Sequence, residues 1–508
     1  MGAVVLGQNI IIDDVINVAR YGYKVEFSKE YIDRVLKCRE LVDKFSEKEK
    51  AIYGVTTGLG DNCNKFIPVK EREIIQRNNI LSHATSLGEP IADECVRAIM
   101  FVMLQHMGLG YTGIRLETLE QIKNLLNNDI TPIVPKHGSV GYLSLEAHIS
   151  LVLIGEGKAR YKDKILSGKD ALHKVGLEPI VLSTKEGLTL LSGTSSVTGI
   201  TSLALYDAIV LSKTSDISAA MSLEVLKGTL MAMDDRLMQV RPHKDQINTA
   251  YNIREILKDS EIVKEYEGHR LQDALSIRCI PQLHGACKKI IQDATITLNT
   301  ELNSSVDNPQ IFDDGSDEGT AIMGCNADGS YVGMAADTLA IAVTNLMKMC
   351  ERRTDRMLNR HVSELPAFLN KNPGLNSGLM IPQYTSAGIL GEMRVLSHPA
   401  TIDNVATCAN QEDYVSMGYN AALKSYECIS IAKYIVAIEL LCSTQAQGFY
   451  ESLSPAKATK EVCDVIRTGV DFIENDINLH EPIEYIADLI KHNKIVDAAE
   501  RVIGKLKF

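Results

Sequence analysis

Several short polar stretches of this 508-residue chain hold groups able to do chemistry, and each lies beside a glycine or proline that ends an element. "YGVTTGLG" presents Tyr53 among Gly54, Gly58 and Gly60. A phenol titrates near ~10, so Tyr53 can take a proton only where a positive charge or helix terminus favours the phenolate. Taken alone it reads equally well as a core tyrosine in a structural turn. "SHATSLGEP" sets His83 near a helix end, where a histidine can cap, pack or exchange a proton. "QDALSIRCIPQLHG" strings Gln272, Arg278 and Gln282 across a break at Pro281. A buried arginine there needs an anion, either a structural carboxylate or one carried by a substrate. "ANQEDYVSMGYN" places Glu412 and Asp413 where they could complement a helix dipole or meet a cation. Clusters of this kind, all at element ends, point to one shared cleft more readily than to separate caps.

The elements that must position these groups read as helices. Hydrophobic residues make up 45% of the chain, aromatics only 5%, and tryptophan is absent, which suits helix-on-helix packing better than a sandwich or barrel. In "SKEYIDRVLKCRELVDKF" apolar residues recur at helical spacing behind Ser28, an expected N-cap. Residues 187–228 run apolar without proline and predict one long core helix. Further long helices are expected at 283–302 and 330–360 and as a pair over 383–450, with a small hairpin in "ISLVLIGEGKARYKDKIL". The predicted organisation is an N-terminal active-site region (1–186), a central long-helix bundle (187–454) and a C-terminal helical cap (455–508). Long helices of this kind rarely bury both faces in one subunit, so a bundle shared between subunits is expected.

Charge and cysteine usage narrow the function. A net charge of -12 argues against broad binding to nucleic acid or anionic membranes. The 11 cysteines are scattered with no C-x-x-C, and His284 beside Cys287 has no second ligand pair, so no metal site is predicted. "MGAVVLGQNIIIDD" lacks the basic start and cleavage site of a signal peptide, and "IAKYIVAIELLC" is interrupted by Lys433 and Glu439. A cytoplasmic protein is the expectation.

The chain resembles the histidine and aromatic amino-acid ammonia-lyase family over nearly its whole length. The likeness is carried by "YGVTTGLG", "NNILSHATSLGEP", "SLVLIGEG", "KEGLTLLSGT", "QDALSIRCIPQLHG", "SSVDNP", "MAADTLAIA", "GLNSGLMIPQ" and "NQEDYVSMG", in family order and near family spacing. The resemblance implies a mainly α-helical fold with small β pieces in the N-terminal part. It also implies a homotetramer whose active sites are built from several subunits, and an amino-acid-like substrate. It makes Tyr53, on its glycine-rich loop, the base that removes a β-proton. It makes His83, Ser192, Gln272, Arg278, Gln282 and Glu412 substrate-binding residues, with Arg278 on the carboxylate. A carboxylate at Glu412 favours a polar or cationic side chain, although Tyr414 stands where histidine lyases usually carry His.

Family members use a methylidene-imidazolone (MIO) electrophile formed by an internal Ala-Ser-Gly triad that follows Gly-Ser-Val-Gly. In "HGSVGYLSLEAH" Gly141 is followed directly by Tyr142, and aligning His148 leaves three residues missing where the triad belongs. Leu275, Ser192 and "GCNADG" also depart from the family pattern. Of the other Xaa-Ser-Gly sequences, Leu191-Ser192-Gly193 is the one expected to face the cleft. The reading from the loop is that no MIO group, and no other cofactor, is present. Three possibilities follow: an enzyme working on C–N bonds through Tyr53 without that electrophile, a conventional histidine-type lyase with an unforeseen one, or a silent relative that binds a ligand or assembles with an active partner.

Overall fold

A computed structural model describes residues 2–47 and 51–508. Helices dominate, as the composition predicts. Ser28 caps the helix Lys29–Glu47, its hydroxyl accepting from the Tyr31 amide at 3.2 Å. The strands are short: Ala3–Leu6 pairs in parallel with Lys24–Phe27, Leu87–Pro90 pairs with Pro135–His137, and the expected hairpin is Lys158–Tyr161 with Lys164–Ser167, extended by Ile130–Pro132. A further pair, Gln310–Phe312 with Thr320–Ile322, lies outside the N-terminal part where β structure was expected.

The long apolar run from 187 to 228 is not one helix. A short helix Glu186–Thr189 is followed by a break, and the main helix covers Ser195–Val225. Gly193 causes the break. Its φ of +117° lies in a region closed to other residues, and a Cβ there would meet Val306 Cγ2 at 2.6 Å. The break turns Ser192 out of the helical register. Helix Ser195–Val225 is apolar and long enough to cross a membrane, yet 83% of its apolar window is buried inside the chain. The other long helices are Ile280–Leu302, Ser330–Leu358, Met380–Leu396 and Gly418–Gln447.

The chain forms two compact units. Unit 1 comprises residues 1–206, 294–337 and 399–423, and unit 2 comprises 207–293, 338–398 and 424–508. In unit 1, Cys38, Leu41, Val42 and Phe45 of the first long helix pack with Ile52, Val55 and Ile311, which anchors the start of the Tyr53 loop. Unit 2 is held by the buried ion pairs of Asp216 with Lys288 and of Arg353 with Glu439, with His284 hydrogen-bonded to Asp216 at 2.9 Å, and none of these side chains has any exposed surface. Charges so far from water persist only when each is paired and hydrogen-bonded.

Candidate active site

A cleft of about 630 Å³ opens in unit 1, and Tyr53, His83, Ser192 and Glu412 all line it. Four expected site residues, spread over positions 53 to 412 of the sequence, thus share one cavity. Gln272, Arg278 and Gln282 belong to unit 2. There Arg278 ends the short helix Leu275–Arg278, and its Nε and the Gln282 Oε1 are buried with no hydrogen-bond partner.

Tyr53 is held by its own loop. The Ile52 amide donates to Thr56 Oγ1 at 2.9 Å and the Thr56 amide returns to the Ile52 carbonyl at 3.0 Å, while Gly54 takes a φ of +64° that lets the chain reverse against Leu188. Gly60, with φ of +55°, donates its amide to Tyr53 Oη at 3.0 Å. That bond favours a phenolate, but burial outweighs it, and the neighbouring Glu412 and Cys408 add to the rise, so the phenol stands above its ordinary range. His83 closes the helix Arg72–His83. Its Nδ1 lies 2.8 Å from the Asn79 carbonyl, which can only accept, so Nδ1 carries the proton and Nε2 is left free to bond within the cleft.

Glu412 sits on strained backbone. Cys408, Ala409 and Asn410 have successive φ values of 50°, 54° and 67°, a left-handed run in which none of the three is glycine. Each such residue costs on the order of 1 kcal/mol or more, and such strain concentrates at ligand sites. The turn is closed by the Thr407 amide on the Glu412 carbonyl at 2.7 Å, and Thr407 Oγ1 donates to Glu412 Oε2 at 3.2 Å.

Residues beyond those expected from sequence also line the cleft: Asn79, Tyr142, Leu143, Asn308, Cys325, Ala327 and Cys408. Among the described residues the cleft lining carries one acidic side chain, Glu412, and one basic side chain, Lys65. Tyr142 and Leu143 come from the Gly-Ser-Val-Gly loop, where Leu143 is forced to φ 82° and ψ −62° and Ser139 Oγ donates to the Tyr142 carbonyl at 3.2 Å. Burial raises the Tyr142 phenol, and Glu412, Cys325 and Tyr53 raise it further. Tyr414 is 57% exposed, bonds Ser330 Oγ at 2.6 Å, and does not line the cleft.

The fold and this cleft define an amino-acid lyase. A family profile described as aromatic amino acid lyase matches residues 10–468, and the chain belongs to that family. It is 41% identical over 500 residues to a histidine ammonia-lyase of Alkaliphilus oremlandii, covering 98% of each chain. The crystal structure of histidine ammonia-lyase from Trypanosoma cruzi superposes with a TM-score of 0.92 at 33% identity, over 98% of this chain and 95% of that one. Tyrosine aminomutase from Streptomyces globisporus gives a TM-score of 0.94 at 31% identity, over 99% of this chain and 100% of the other. The protein is accordingly an enzyme of the ammonia-lyase kind, mainly α-helical.

These findings correct the expectation that no MIO group is present. Likeness to histidine ammonia-lyases at about 40% identity along the whole chain, together with the lyase and aminomutase structures, indicates that the group is formed. The contrary reading rested on the spacing of one loop, and one local gap weighs less than likeness over 98% of the chain. The stretch Gly141–Ser144 itself carries no Ala-Ser-Gly, so its residues do not supply the atoms of the ring. Leu191-Ser192-Gly193 reaches the cleft through Ser192, whereas Ser167 of Leu166-Ser167-Gly168 caps the helix Gly168–His173.

Proposed function

We propose that this enzyme breaks the C–N bond of an amino acid with a polar or cationic side chain and releases ammonia. Tyr53 acts as the base that removes the β-proton, and Ser192 binds beside it. His83 and Glu412 receive the substrate's side chain. Arg278, Gln272 and Gln282 receive its carboxylate, delivered from another subunit of a homotetramer. The observation that carries this reading is the meeting of Tyr53, His83, Ser192 and Glu412 in one cleft. A cationic substrate also answers the raised Tyr53 phenol, because it neutralises Glu412 and places positive charge beside the hydroxyl, both of which favour the phenolate. L-Histidine is the first substrate to try, given the names of the relatives. Shared active sites are supported by the orphaned Arg278 Nε and by apolar side chains left exposed on long helices, among them Tyr331, Tyr384 and Val395. Eleven free thiols suit a reducing, cytoplasmic compartment.

The test is ammonia release from a panel of polar and cationic amino acids by wild type, Tyr53→Phe and Glu412→Gln, with the oligomeric state measured alongside. Turnover that survives Tyr53→Phe undiminished refutes the assignment of the base.

A further inference from the structure

Ser192 lines one wall of the cleft, and the residues just after its glycine are each held by another element. Thr194 Oγ1 donates to Glu301 Oε1. His106 Nε2 faces the Glu301 carbonyl at 3.0 Å and so carries the proton, which leaves Nδ1 to accept from Ser195 Oγ at 3.0 Å. The Ser196 amide, in the first turn of the helix Ser195–Val225, donates to Glu146 Oε1 at 3.0 Å.

Glu146 differs from Glu301 and His106 in what it joins. It lies in the first turn of the helix Ser144–Leu153, three residues after Leu143, whose φ of 82° is a conformation that side-chain-bearing residues rarely take. The Leu143 amide lies close enough to the Glu146 carboxyl to favour its charged form. Tyr142 and Leu143 line the same cleft as Ser192. One carboxyl, 1% exposed, thus touches both the loop that carries them and the helix start that follows Ser192. The bonds of Ser139 to the Gly141 amide and the Tyr142 carbonyl stay inside the loop, and Ser144 bonds Ser86 at 2.6 Å, so neither reaches the Ser192 wall. Stability is not what Glu146 supplies, because burial pushes its carboxyl up to about 7 and costs the fold stability above that pH. A side chain that opposes folding in this way marks a place where function sets the residue.

We infer that Glu146 is a positioning residue for the reaction: it fixes the Tyr142–Leu143 loop against the Ser192 wall and so sets where the substrate lies beside Tyr53. This inference rests on the ammonia-release reading above.

Glu146→Gln and Glu146→Met test it against wild type. Both keep the length of the side chain, but only the amide keeps an acceptor for the Ser196 N–H group. Ammonia release from L-histidine is expected within about threefold of wild type in Glu146→Gln, and lowered about tenfold or more in kcat in Glu146→Met, because a small misplacement of reacting groups is costly in rate. Urea unfolding at pH 8 should show neither variant less stable than wild type. Amide hydrogen exchange of residues 139–146 and 192–198, read without substrate, should quicken in both segments in Glu146→Met and in neither in Glu146→Gln. Wild-type kcat in Glu146→Met overturns the inference. So does exchange that quickens in one segment only, which marks a local cap, or a loss of kcat matched by a loss of stability, which marks a structural role. A wild-type protein that releases no ammonia fails the reaction reading, and unchanged exchange in Glu146→Met then refutes the clamp independently.

Discussion

Replacing Lys185 by Met tests the device that holds the cleft wall. The ammonium has no exposed surface and is paired with Asp307, whose side chain is 3% exposed. Methionine fills the aliphatic volume of the lysine but leaves the Asp307 carboxylate with two neutral donors, Thr189 Oγ1 and the Asn308 amide. Leaving one charge of a buried pair uncompensated costs about 3–5 kcal/mol, and Asp307→Asn, which strands the lysine instead, falls in the same range. The double variant Lys185→Met/Asp307→Asn buries no charge, so it recovers much of that loss and yields a coupling energy of about 3 kcal/mol in a double-mutant cycle. Urea unfolding of all four proteins supplies the numbers, and L-histidine binding measured on the same samples reports whether the cleft wall has moved. Two single variants that each cost under about 1 kcal/mol, with additive effects, would refute the reasoning.

Three further outcomes follow from buried or clustered groups. Glu146 is buried behind the Gly-Ser-Val-Gly loop, accepts the Ser196 amide through Oε1, and burial pushes its carboxyl up to about 7. Its folded pKa lies above the unfolded value of about 4.5. The folded state thus holds a proton that the unfolded chain has lost, and stability falls as pH rises from 4.5 to about 7. Glu146→Gln should therefore stabilise the protein at pH 8 by up to about 3 kcal/mol and leave it unchanged near pH 4, and unfolding at the two pH values checks the sign. Glu412→Gln removes a charge that raises the Tyr53 phenol, so a pH titration of the free enzyme should show the Tyr53 ionisation at lower pH than in wild type. An unmoved titration argues that Glu412 does not act on Tyr53. Gly193→Ala forces a Cβ against Val306 at a φ of +117°, and should lower both stability and turnover, because Ser192 loses its place in the lining. A variant of wild-type stability and activity contradicts that account of the helix break.

Much of the fold was legible because helical periodicity and the absence of proline are local signals. The start of the helix Lys29–Glu47 follows the sequence because Ser28 caps it. Residues 187–228 misled, since nothing in an apolar run reveals that Gly193 must adopt a left-handed conformation to clear Val306, more than a hundred residues away. That Tyr53, His83 and Glu412 share a cleft was legible because each lies in a polar motif at the end of an element. Asn308 and Lys185 were not: asparagine before proline reads as a turn, and a lysine reads as surface, until the fold brings Lys185 against Asp307 across 122 positions. The electrophile was misread for the opposite reason, because a three-residue gap in one loop was weighed without the whole-chain likeness that opposes it.

The central claim is that Tyr53, in the unit 1 cleft, removes a proton while the substrate's amino group leaves as ammonia. The most direct measurement is solvent-deuterium incorporation and ammonia release from L-histidine and its polar or cationic analogues, with wild type and Tyr53→Phe compared at equal fold and ligand affinity. The account predicts ammonia from wild type, with both release and exchange collapsing in Tyr53→Phe. Equal ammonia release by the two proteins, or none from any substrate the wild type binds, would contradict it.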